Sequence, residues 1–174
     1  VINPSHPFTV DIKSGNASII FADGVDYAIE VKPDLSNEEE IKRGLKQVQS
    51  VKKLMRRRVG FVTTDEDKER AQKIPTFIFS NKTYAEIRNL VIKIVDYYVD
   101  NNVPKQEQFD MIVLNNRAII FNFGKNAKLH NKNFEGIEIA ETGEDTLAIF
   151  LLFMNIIPKS EPEISENIIQ LYIK

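Results

Sequence analysis

Cysteine is missing from the 174-residue chain, which excludes disulfides, thiolate zinc sites and a cysteine nucleophile within it. Histidine is nearly missing: His6 and His130 stand far apart with no second imidazole near either, so a histidine-rich metal site is not expected. Any metal would be held by carboxylates, a donor set that favours magnesium or manganese. Long apolar runs are also lacking. The longest, 147–157, is 11 residues and contains Asn155, short of the roughly 18–20 that a membrane span needs. It reads as a buried helix. No signal peptide is visible, so a cytoplasmic location and no membrane partner are expected.

What is present is ordinary for a globular domain: 43% hydrophobic and 28% charged residues, with seven glycines and seven prolines. The length fits one domain that buries roughly 70% of its unfolded-state surface. The net charge of −2 says nothing about nucleic acid by itself, because charge acts by position. The first residues, Val1-Ile2, look like a strand end running into Asn3-Pro4, so native residues are expected to precede them.

The apolar pattern predicts strands over 17–21 and 25–32, with Asp23-Gly24 as the turn between them and Pro33 as the stop. Ser36-Asn37-Glu38-Glu39 is a capping box, with Ser36 as the cap. Ile41, Leu45, Val48, Val51 and Met55 then form one stripe, predicting a helix over 37–57. Residues 60–64 are a short strand or a loop, and 65–73 a charged surface helix. A strand over 76–79 follows, then a second capping box, Thr83-Tyr84-Ala85-Glu86. It opens a helix with Ile87, Leu90, Val91, Ile94 and Val95 on one side, ending near Asn101-Asn102. Strands over 109–114 and 118–123 are joined through Asn115-Asn116 as a hairpin. Asp145 opens the last helix, Pro158 ends it, and 159–166 is a polar loop. This order points to an α/β or α+β domain built on a mixed sheet.

Chemistry concentrates in Tyr27-Ala28-Ile29-Glu30-Val31-Lys32. Residues two apart on a strand share a face, so Glu30 and Lys32 stand together with Ala28 and Asp26, while Tyr27, Ile29 and Val31 take the other face and are expected to point into the core. The chain holds three Glu-x-Lys triplets, against about 1.4 expected from residue frequency alone. Those at Glu40/Lys42 and Glu66/Lys68 fall in charged segments read as helical, where positions two apart do not face each other. Only Glu30/Lys32 sits in an apolar strand, where burying charge is expensive unless it is paired or serves a site. A structural ion pair and half of a phosphodiesterase site are the two readings.

A second feature is the run of Lys42, Arg43, Lys46, Lys52, Lys53, Arg56, Arg57 and Arg58, 17 residues without an acid. Such a helix can track a nucleic-acid backbone, with Lys52, Lys53, Arg56, Arg57 and Arg58 as candidate phosphate contacts. The alternative is a solvated helix whose cations complement its dipole. Tyr97-Tyr98 should split between core and surface, and Gly124-Lys125 lacks the glycines of a phosphate loop.

The stretch FADGVDYAIEVKPDLS with IKRGLKQVQSVKKL resembles the core of the PD-(D/E)XK nuclease superfamily, and more narrowly a family of bacterial nuclease-like proteins. The later PTFIFS strand and EDTLAIFLLFMNIIP helix are similar as well, so the likeness covers most of the chain. The resemblance implies an α/β, restriction-endonuclease-like mixed sheet flanked by helices. It also implies magnesium- or manganese-dependent hydrolysis of phosphodiester bonds, with DNA as the nucleic-acid partner, and a setting in defence or mobile elements. Under it Glu30 is a metal ligand and Lys32 the catalytic lysine. The family's metal-binding aspartate lies in a D-x-V-I element whose last two residues match Val1 and Ile2, so it is expected just upstream. Asp11, 19 residues before Glu30, is the resident substitute as ligand, with Asp26 behind it. Gln47 and Gln49 are noted because related nucleases often place a polar helix residue near the metal. Without catalysis, the same fold would be a module binding nucleic acid or a protein.

Overall fold

The computed structural model describes residues 9–11, 18–56, 72–122 and 136–157. Val1, Ile2, His6, Arg57, Arg58, Gly124, Lys125, His130, the readings over 60–64 and 159–166, and residues 65–71 of the helix read over 65–73 lie outside the described residues.

Strands β1 (Thr9–Asp11) and β2 (Ser18–Ile20) pair antiparallel as a separate two-stranded sheet. The main sheet contains β3 (Ala28–Lys32), β4 (Thr76–Ser80), β5 (Met111–Leu114), β6 (Ala118–Asn122) and β7 (Ile137–Glu141), in that spatial order. The first three are parallel and the last three antiparallel. Parallel neighbours need a long return. Helices α1 (Glu38–Lys52) and α2 (Ile87–Asp100) lie within those returns. The β5–β6 hairpin needs only a tight turn, with Asn116 at φ 55°, a conformation that asparagine tolerates better than most residues. Helix α3 (Thr146–Ile156) follows β7.

This is an α/β architecture, a mixed five-stranded sheet flanked by helices, consistent with a restriction-endonuclease-like domain. Alternation along the central strands feeds two cores. Ile78, Ile112 and Ile120 pack with Ile41, Leu45 and Val48 of α1 and Leu90, Val91 and Ile94 of α2. Phe77, Met111, Val113, Ile119 and Phe121 pack with Phe150 of α3. Because both faces are covered, β5 and β6 are apolar at almost every position. No described helix is long and apolar enough to cross a membrane.

Several details depart from the sequence reading. Asn37, not Ser36, caps α1, accepting the amides of Glu39 and Glu40 at 2.9 and 3.4 Å. Ser36 is taken by Asp34, to which it donates both its amide (2.7 Å) and its hydroxyl (2.6 Å). The helix ends at Lys52 rather than near 57, since Met55 leaves to pair with Lys73 and Arg56 N–H donates to Gln72 O at 2.7 Å. Glu86, not Thr83, holds the cap position of α2. Strand β7 was not anticipated.

The largest correction concerns β3. Ile29 and Val31 are 37% and 66% exposed, whereas Lys32 is 2% exposed. Among the described residues β3 is the sheet's edge, and α3 packs chiefly on β5 and β6. Only Tyr27, on the same side, packs inward, with its ring 5.7 Å from that of Phe77. The charged face is the covered one, because α1 lies across it.

Candidate functional site

Register places Glu30 beside Ile78 and Lys32 beside Ser80, so both side chains project from the α1 side of the sheet. Helix α1 meets them with Glu40, Arg43, Gly44 and Gln47, a spacing of three and four that stacks residues on one helical face. The aliphatic stem of Lys32 runs over Gly44 so closely that a Cβ there would lie 3.1 Å from Lys32 Cε. Glycine in a helix interior costs about 1 kcal/mol relative to alanine. Here the missing side chain is the channel through which the lysine passes.

At its end, Lys32 Nζ lies 2.7 Å from Glu30 Oε1 and donates to Gln47 Oε1 at 3.0 Å. Glu40 Oε2 is 3.8 Å away, and the same oxygen accepts from Arg43 Nη2 at 2.7 Å. An ammonium has three protons. Two are committed, and 3.8 Å is too long for Glu40 to bind the third. Burying an unpaired ammonium would be prohibitive, so this pairing is what permits Lys32 to be interior. Glu30 and Glu40 balance Lys32 and Arg43, leaving the cluster formally neutral.

The turn that aims β3 into α1 is tied down separately. Lys82 Nζ pairs with Asp34 Oδ2 at 2.8 Å, and Leu35 N–H donates to Lys82 O at 2.8 Å. The Lys82 hydrogen bond, with those from Ser36, holds the Asp34 carboxyl down to about 2.

Of the residues nominated from sequence, Glu30, Lys32 and Gln47 come together. Gln49 faces elsewhere and donates to Glu107 Oε2 at 2.9 Å. Asp11 ends β1, with its backbone in register with Ser18. Asp26 is buried at the opposite end of β3, about 13 Å along the strand from Glu30. Its carbonyl accepts from Arg56 Nη1 at 3.4 Å, which places it in an interior cluster and not in the Glu30 site.

The same cluster corrects the basic array. Lys52 and Arg56 are 3% and 1% exposed. Lys52 continues the buried face of α1 one turn past Val48 and pairs with Asp110, whose Oδ2 also accepts Thr76 N–H at 2.7 Å. Arg56 Nη2 donates to Lys73 O at 3.2 Å. Burial pushes the Arg56 pKa down, against the fields of Asp26, Asp110 and Asp23. Both cations are interior partners and do not face a phosphate backbone. Lys53 is exposed.

Glu40 and Gly44 were missed as site residues. A glycine amid a helical stripe is the available signal, since its cost there points to a packing reason such as close approach. On the outer side of Glu40 and Arg43 runs an open groove of about 660 Å³, lined also by Lys42, Lys46 and Tyr97.

Among the described residues no group of three or more His, Cys, Asp or Glu side chains is arranged to hold a metal ion. Glu30 and Glu40 nevertheless offer two carboxylates, and Gln47 an amide oxygen. These hard donors suit magnesium, which is commonly held by one or two carboxylates and water. The donor chemistry fits such a cation.

The chain matches no protein-family model and no curated protein.

Proposed function

We propose that this is a metal-dependent nuclease-like domain of the PD-(D/E)XK type that hydrolyses phosphodiester bonds of DNA in the cytoplasm. The observation that carries the reading is the convergence of Glu30 and Lys32 with Glu40 and Gln47 where β3 meets α1. Glu30 and Glu40 would hold magnesium or manganese, and Asp11 would complete the set. Such a cation, when bound, polarises the phosphate and lowers the pKa of an attacking water. Glu30 fixes the position of the Lys32 amine, and Gln47 fixes its direction. The third Lys32 proton is then available to a phosphate oxygen or to the attacking water, where a positive charge stabilises the charge that develops during attack. Gly44 sets how closely α1 can approach, and so whether Gln47 and Glu40 reach the lysine at all.

The test is cleavage of plasmid DNA by the full-length protein with magnesium or manganese. Glu30→Gln should abolish it while leaving thermal unfolding cooperative. Undiminished cleavage by this variant refutes the assignment.

One observation favours a second reading, a non-catalytic module of the same fold that binds nucleic acid or a protein. Lys32 is almost wholly buried and its amine already has two partners, as a structural lysine would. That reading predicts no cleavage under any metal condition.

A further inference from the structure

The geometry points to the groove beside α1 as the path of a single nucleic-acid strand, with Arg43 as the residue that passes a phosphate to the Lys32 centre. This rests on the proposal that the substrate is nucleic acid and changes where that strand is held. Of the described cations nominated from sequence, Lys52 at the end of α1 and Arg56 just beyond it are interior, and Lys53 is exposed. The exposed cations of α1 stand on a different part of its surface, at Lys42, Arg43 and Lys46. All three line the groove. Lys42 and Lys46 are one helical turn apart, about 6 Å along the axis, so together they present a short row of positive charge.

Three observations make this row fit a single strand. The opposite wall, from α2, supplies the half-buried Tyr97 together with Asn101, and an aromatic ring beside a cationic row is the usual platform for an unstacked base. The groove's two carboxylates, Glu39 and Glu40, are already paired with Lys42 and Arg43 at 3.1 and 2.7 Å. Counting Lys46, the lining carries one net positive charge, and exposed pairs of this kind exchange readily for a competing anion. Finally, Glu40 belongs to the groove and to the Lys32 cluster at once, 3.8 Å from the Lys32 amine. A phosphate that takes Arg43 from Glu40 therefore arrives next to Lys32 and leaves the Glu40 carboxylate open to a cation.

The test is fluorescence anisotropy of a labelled oligothymidine with the full-length protein in EDTA, so that binding is read without cleavage. Removing the row, in the Lys42→Ala/Arg43→Ala/Lys46→Ala variant, should weaken binding at least about tenfold and flatten the log–log salt dependence by about 2. Tyr97→Leu should weaken binding about tenfold with the salt slope unchanged. Lys53→Ala, at the far end of α1, should change binding less than about twofold. Circular dichroism melts establish that each variant is folded. Unaltered binding by the triple variant overturns the inference. So does a loss on Lys53→Ala as large as that of the triple variant, or a wild type that does not bind. Groove-dependent binding without cleavage keeps the inference and removes the catalytic reading. Undiminished cleavage by the triple variant does the reverse.

Discussion

Replacing Gly44 by alanine should destabilise a helix that alanine ordinarily stabilises. In a helix interior the exchange is worth about 1 kcal/mol in favour of alanine. Here the added Cβ would meet Lys32 Cε at 3.1 Å and Cγ at 3.6 Å, with Ile78 Cδ1 at 3.8 Å. The first contact is too short by a few tenths of an ångström, and the stem cannot swing freely, because its amine is held at 2.7 Å by Glu30 and at 3.0 Å by Gln47. Displacing it strains a rotamer by roughly 0.5–1.5 kcal/mol. It also weakens a charge-assisted hydrogen bond worth about 1.5–3 kcal/mol. The net expectation is a loss of about 1–2 kcal/mol. Urea unfolding at constant m-value measures it. Repeating the exchange in a Lys32→Ala background, where the stem is gone, should restore the gain of about 1 kcal/mol, giving a coupling of at least about 2 kcal/mol. A Gly44→Ala protein stabilised equally in both backgrounds would show that Lys32 does not depend on this glycine.

Other consequences are testable on the same protein. Asp34 has its pKa depressed by Lys82 and Ser36, so its contribution to stability is complete above the ordinary carboxylate range and lost as pH falls from about 4 toward 2. Asp34→Asn should flatten the stability profile in that window, and a carboxyl NMR titration placing Asp34 near its ordinary value would contradict this. Asp110→Ala strips Lys52 of its carboxylate and Thr76 N–H of its acceptor, and removing one partner of a buried pair costs about 3–5 kcal/mol. A loss under about 1 kcal/mol on chemical unfolding would mean that Lys52 finds another partner. Tyr98 is buried and accepts Phe109 N–H at 3.2 Å, so Tyr98→Phe should cost about 1–2 kcal/mol. Burial pushes the Tyr98 hydroxyl far above its usual range, so one of the five tyrosines should stay un-ionised in alkaline spectrophotometric titration until the protein unfolds.

Periodicity made much of the fold legible. The stripe Ile41, Leu45 and Val48, the residues Ile87, Leu90, Val91 and Ile94, and the turn at Asn115-Asn116 all stand where their spacing puts them. Alternation along β3 separated its two faces correctly, yet it does not say which face is covered. That is decided by sheet order and by where the helices lie, so alternation alone assigns Ile29 and Val31 to the core although they are exposed. Strand β7 alternates as Ile137-Glu138-Ile139-Ala140-Glu141, a run too short and acidic to stand out from its surroundings. Lys52 and Arg56 read as surface cations because their partners are remote: Asp110 lies 58 residues from Lys52, and Asp26, whose carbonyl and charge both favour Arg56, lies 30 from it. At the site itself, Glu30 and Lys32 were legible from strand spacing. Glu40 and Gly44 were not, since their part arises only when α1 packs across the charged face of β3.

The proposed role of the Lys32 amine, positioned by Glu30 and Gln47, is in phosphodiester hydrolysis, beyond that of a buried ion pair. Single-turnover cleavage of a labelled DNA by the full-length protein with magnesium, wild type against Lys32→Met, tests it most directly. Methionine retains most of the stem over Gly44 and removes the ammonium, with its charge and its bonds to Glu30 and Gln47. Metal-dependent cleavage by the wild type is expected, with a fall of at least about a hundredfold in the variant, the scale on which a positioned charge acts in catalysis, and cooperative unfolding retained. Equal cleavage rates in the two proteins, or no cleavage by the wild type with any divalent cation, would contradict it.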